Sequence, residues 1–165
     1  MSFLVVVSVL AGFLFGLAFL TKRRFGVLGL ALAAGAIMSE LWVGDLTPLV
    51  AQTGIVILRP PLESLVAATL LLLPAAFLFI SGPVYRGMRS RVTGALLFAL
   101  LAVFLMLDIF ESALVIEGVG QTIFTGLTDW RMLGTSALLI LAIFDGLGIR
   151  TPKPEKPAKH WHFPL

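Results

Sequence analysis

The chain has 165 residues, of which 59 % are hydrophobic and 13 % charged, with a formal net charge of +3 and a mean hydropathy of +1.05. So much apolar surface cannot be hidden in a soluble domain of this length, which excludes a water-soluble enzyme or binding module. With zero cysteines, disulfides, thiolate catalysis and Cys-ligated metal centres are excluded as well.

Five apolar runs, at residues 3–20, 25–43, 62–80, 92–110 and 132–149, approach membrane-spanning length. A helix rising ~1.5 Å per residue needs ~20 residues to cross a ~30 Å hydrocarbon core. They predict an all-α fold, a polytopic membrane helix bundle with five transmembrane helices. The helices occupy a single domain over residues 1–150, and a disordered basic tail follows over 151–165. The first run has no charge before it and Lys22, Arg23 and Arg24 directly after it, the reverse of a cleaved signal peptide, and is read as a retained helix. Residues 21–24 are too few for anything but a turn, so helices one and two form an antiparallel hairpin. Helix two is expected to end between Glu40 and Gly44. Pro60 and Pro61 open helix three, where a missing N–H does little harm, and Pro74 within it is expected to kink it. Arg86, Arg89 and Arg91 form a second basic turn before helix four, which runs out to Asp108 and Glu111.

Along this path ten of the twelve Lys/Arg residues fall on one side. Three lie in each basic turn and four in the tail (Arg150, Lys153, Lys156, Lys159), leaving Arg59 and Arg131 opposite. The positive-inside bias then puts the N-terminus outside and the C-terminus in the cytoplasm of a cell (inner) membrane. A four-helix alternative, with 132–149 lying on the surface, places the tail outside and loses that bias. Positive charge arranged this way flanks a lipid bilayer and gives no face for nucleic acid.

Close helix contact in lipid favours small residues four apart. Ser8, Gly12 and Gly16 in helix one, and Gly29, Ala33, Ala31 and Gly35 in helix two, predict a seam inside the first hairpin. A dimer face is the other use of such a seam. Around Ala11, Ala34, Leu72, Leu101 and Leu141, at the expected midplane, there is no charge, His, Asn or Gln. Such groups mark transport and proton paths there, so an ion-coupled or catalytic core is not expected.

Carboxylates gather instead at the outer rim, at Glu40, Asp108, Glu111 and Glu117, with Asp45, Glu63 and Asp129 nearby. Solvated interface positions account for them if Glu40 lies ~4–5 Å from the end of its helix. A cation site in an outward-facing pocket is the alternative. Two outer segments, 46–58 and 114–127, read as interfacial or re-entrant, and Gly118, Gly120 and Gly126 make the second a poor regular helix. The tail alternates Pro with Lys before Trp161 and Phe163, a composition suited to anionic lipids or to a protein partner. His160 and His162 alone are too few for a metal site, and no cofactor is expected.

The layout resembles the colicin V production protein family. In that family a tight basic turn joins the first two helices, matched here by Thr21-Lys-Arg-Arg-Phe-Gly26, and an Arg-x-x-Gly element enters a Gly/Ala-rich helix, matched by Arg91-Val-Thr-Gly94. The similarity covers roughly residues 1–110. The family's second glycine in that helix is replaced by alanines here, and the fifth helix and Lys/Pro tail depart from its four-helix plan. The resemblance implies a bacterial inner membrane, a link to peptide export or envelope homeostasis, and no catalytic residues. The expected function is therefore a non-enzymatic accessory or scaffold component. The alternative is an oligomeric channel or transporter subunit with an acidic outer vestibule; a homo-oligomer or a membrane-protein partner fits either.

Overall fold

The computed structural model describes residues 3–54, 60–85, 87–114, 116 and 118–148. Arg59, Arg86, Glu117 and the tail, with its expected lipid contacts and its two histidines, lie outside the described residues. Six helices follow one another among those described: α1 Phe3–Thr21, α2 Phe25–Gln52, α3 Leu62–Ser81, α4 Met88–Leu105, α5 Leu107–Ala113 and α6 Val119–Leu147. All but α5 are long and apolar enough to cross a membrane, and the chain is a multi-pass membrane helix bundle.

The helix ends follow from local chemistry. α1 stops at Thr21, whose hydroxyl turns back to the Leu17 carbonyl at 2.8 Å, and Lys22 takes the left-handed conformation (φ 57°) that commonly closes a helix. α2 does not end near Glu40. It continues to Gln52, through Gly44 and Pro48, so that most of the expected outer segment 46–58 is helix. Pro48 frees the Gly44 carbonyl without ending the helix, and the Thr47 hydroxyl bonds back into it at the Val43 carbonyl, at 2.7 Å. Pro74 likewise sits inside α3, which runs unbroken to Ser81.

Expected helix four is two helices. At Met106 (φ −90°, ψ 0°) the amide is shared between the carbonyls of Ala102 and Val103, and α5 restarts at Leu107. The last helix begins at Val119, well before residue 132, and absorbs most of segment 114–127. Gly118 makes this start, with φ 62° and ψ −131°, a conformation open to glycine. Gly120 and Gly126, expected to weaken a helix, are part of it. Phe3 holds this first turn in place: its ring sits edge-on to Phe110 (6.1 Å) and Phe124 (5.5 Å), tying the starts of α1 and α6 to α5.

α4 is the central helix. Gly94, Ala95, Phe98, Ala99, Leu101 and Ala102 are buried, and α1, α2 and α6 pack around it. The expected seam within the first hairpin is not formed. α1 lies mainly on α4, Ser8 and Gly12 face outward, and a side chain added at Gly12 or Gly16 would meet nothing within 4 Å. The small residues of α2 do serve close approach, to other helices. A Cβ on Gly35 would overlap the Leu71 carbonyl of α3, and one on Gly29 would press on Ala142 of α6 at 3.0 Å. Ala33 is half-buried. The physical reason lies in α4, whose small buried residues Gly94, Ala95, Ala99 and Ala102 let neighbouring helices approach closely.

Candidate functional site

At the end of the bundle away from the basic turns, five helices leave a cleft of about 540 Å³ between them. Its walls are helical stripes. α2 contributes Ala36, Ser39, Glu40, Val43 and Gly44, α3 contributes Ser64, Ala67 and Leu71 beside Glu63, and α4 and α5 contribute Leu105, Asp108, Ile109 and Ser112. Steps of three and four residues put each set on one helix face. Arg131 comes from α6, where the inward stripe runs through Gly134, Leu138, Ala142 and Asp145.

The floor is the contact of Gly35 with the Leu71 carbonyl. Gly35 is ten residues from Phe25 and Leu71 ten residues from Ser81, each about 15 Å along its helix from the basic end. The cleft therefore reaches about halfway through a ~30 Å hydrocarbon core. Glu40, expected within one turn of a helix end, lies twelve residues from Gln52, about 18 Å. The exposed Trp42 lies two residues after Glu40 and the exposed Trp130 directly before Arg131, so both indoles flank the cleft's end of the bundle.

Within the cleft the Arg131 guanidinium grips both carboxylate oxygens of Asp108, a bidentate pair between α6 and α5. The Ser64 hydroxyl, 5 % exposed, is 2.9 Å from that of Ser112. Ser39 is 9 % exposed and makes no side-chain hydrogen bond among the described residues. Glu40 and Glu63 are exposed at the rim with no ion-pair partner among the described residues. No three His, Asp or Glu side chains among the described residues converge closely enough to hold a metal ion.

Of the expected acidic rim, then, Glu40 and Asp108 come together in the cleft. Glu111, expected to share a face with Asp108, does not line it: Asp108 aligns with Leu105 and Ser112, and Glu111 is exposed outside the cleft. Glu117 lies outside the described residues. Sequence reasoning missed the three serines and the role of Arg131, counted only as an outward basic residue. The available signal was the repetition of Ser and Glu at one helical face, 39–40 on α2 and 63–64 on α3.

The basic turns form a second polar cluster, at the other end. Arg24 pairs with Asp145 of α6 at 3.1 Å, and the Asp145 carboxylate also accepts the Gly26 amide at 2.8 Å, capping α2 from a different helix. Glycine is required at 26, because a Cβ there would overlap the α6 backbone at Ala142 and Gly146. The Arg23 guanidinium donates to the carbonyls of Phe79, Ile80 and Gly82, closing the end of α3, and Arg91 donates to Phe19 of α1 while its guanidinium lies over that ring, 3.9 Å from the centroid. The Tyr85 ring packs on Gly94, its hydroxyl accepts the Phe25 amide at 3.2 Å, and burial pushes its pKa up to about 12, with the Asp145 charge acting the same way. Lys22 and Arg89 are exposed. Residues expected to set topology thus also lock helix ends together.

Compared with protein-family models, with curated proteins and with solved structures, the chain matches none of them.

Proposed function

We propose that this chain is a non-enzymatic multi-pass membrane protein whose cleft receives a small polar solute from the outer side, as a channel or transporter subunit does. The observation that carries this reading is the extent of the cleft, which mixes polar with apolar walls and runs from the rim carboxylates down to the Gly35–Leu71 contact. Its polar side chains, Ser39, Ser64 and Ser112 with the Asp108–Arg131 pair, lie above that floor and line the space between helices, as side chains along solute paths do. The ten-to-two division of Lys/Arg supports an N-outside, C-cytoplasmic orientation, which opens the cleft outward. The layout resembling colicin V production proteins supports a bacterial inner membrane and a service to peptide export or envelope homeostasis, with anionic lipids holding the basic tail.

A cysteine-free chain makes the test direct. In intact cells, Ala67→Cys on the cleft wall should react with a membrane-impermeant thiol reagent added outside, while a reporter fused after Leu165 reads cytoplasmic. An Ala67→Cys protein that the reagent cannot reach removes the outward-open cleft, and a reporter outside the cell reverses the orientation.

A further inference from the structure

The charge and hydrogen-bonding balance of the cleft specifies the class of its ligand. Asp108 and Arg131 neutralise each other, and the two remaining carboxylates, Glu40 on α2 and Glu63 on α3, face the opening with no cationic partner among the described residues. An acidic pair alone would carry little, but Ser39 adds an independent observation. Its side chain is nine-tenths buried and lines the cleft without a hydrogen bond among the described residues, and the hydroxyl offers two acceptor lone pairs as well as a donor. Ser64, more deeply buried, has spent one bond on Ser112 and keeps further capacity. The Ser39 hydroxyl opens onto the cleft and is free to bond a guest there.

Three features narrow the occupant. At about 540 Å³ the cleft has the size of a small-molecule site and is far larger than one ion needs. Among the described residues the acids do not converge as metal ligands must. No aromatic ring lines it, whereas quaternary ammonium groups are held by aromatic cages. Carboxylates and hydroxyls suit instead a cation that carries N–H donors, and Ala36, Ala67 and Leu71 suit a short aliphatic body.

Resting on the reading of the cleft as a solute site, we infer that its ligand is a small aliphatic primary amine, with Glu40 and Glu63 pairing its ammonium groups and Ser39 accepting one N–H. Two carboxylates on facing helices fit a diamine best.

The probe is 1,4-diaminobutane, titrated calorimetrically into the purified full chain in detergent. Binding should be saturable, weakened about tenfold or more by Glu40→Gln or Glu63→Gln, and weakened also by Ser39→Ala, which removes an acceptor without changing charge. Tetramethylammonium and Ca²⁺ should fail to compete. The gel-filtration profile of each variant separates lost binding from lost fold, and Ser39→Ala, the smallest change, keeps the test available if a Gln variant aggregates. Absence of saturable binding, equal competition by tetramethylammonium or Ca²⁺, or indifference to all three substitutions would overturn the inference. The Ala67→Cys reaction distinguishes the levels. Labelling that proceeds with no amine binding leaves the solute cleft standing and rejects the amine; labelling blocked by the diamine supports both; failure to label rejects the cleft itself.

Discussion

Asp145 sits one turn from the end of α6, yet it completes a helix 121 positions earlier in the chain. Its carboxylate serves the Arg24 guanidinium and the Gly26 amide together, and both it and Arg24 are largely shielded from solvent. Asp145→Ala strands a cation and a buried amide at once, which should cost roughly 1–3 kcal/mol, read as a lower melting temperature of the purified protein. Asp145→Asn, which can still accept the amide bond, should lose less. Tyr85 gives a pH signature at the same cluster. Its folded pKa of about 12 lies above the ordinary 10.0, so the tyrosine's contribution to stability is fully present below pH 10 and lost as the pH rises through about 12. Tyr85→Phe should remove that alkaline loss while lowering stability at neutral pH, because the Phe25 amide loses its acceptor; thermal melts at both pH values check it. Neither link could be read locally, since nothing in the run around Asp145 points to residue 24.

Helix ends show where reading a sequence succeeds and where it stops. Membrane-crossing length and the basic turns were legible because apolar runs and charge clusters are local properties. The far ends of α2 and α6 were not, because Gly44 and Pro48, or Gly118 and Gly120, look like breakers until their neighbours are known. Phe3 and Phe110 supply that context for α6 from distant parts of the chain. The small residues teach the same lesson: their use in close contact was legible, but the partner was not. Gly35→Ala should therefore separate α2 from α3 and lower the melting temperature by an amount corresponding to roughly 1–3 kcal/mol. Gly16→Leu, which enters open space, should leave the monomer's stability unchanged. A stable Gly35→Ala, or a destabilised Gly16→Leu, would reverse the assigned packing.

At the scale of the whole molecule, two polar clusters cap an apolar middle. The acids were visible in the sequence as a rim, and their gathering along one cleft depends on α2 continuing past Glu40 and on α5 carrying the largely exposed Asp108 on its cleft side. Ser39, Ser64 and Ser112 escaped notice because single serines are common in membrane helices and acquire meaning only when three helices bring them together.

The midplane floor has an electrical consequence. In the proposed orientation, water in the open cleft sits near the potential of the outer solution, so the transmembrane voltage falls mainly across the packed half below Gly35 and Leu71, about 15 Å along the helices rather than ~30 Å. The field there is about doubled, while a cation beside Glu40 or Glu63 sits almost outside it. Moving one elementary charge through the full potential is worth about 2.3 kcal/mol per 100 mV. Nearly all of that work should belong to passing the floor and almost none to entering the cleft. Amine affinity in proteoliposomes should accordingly stay flat as an imposed diffusion potential is varied, whereas any flux through the protein should respond steeply; an affinity that tracks the voltage would place the site deeper than the floor described above.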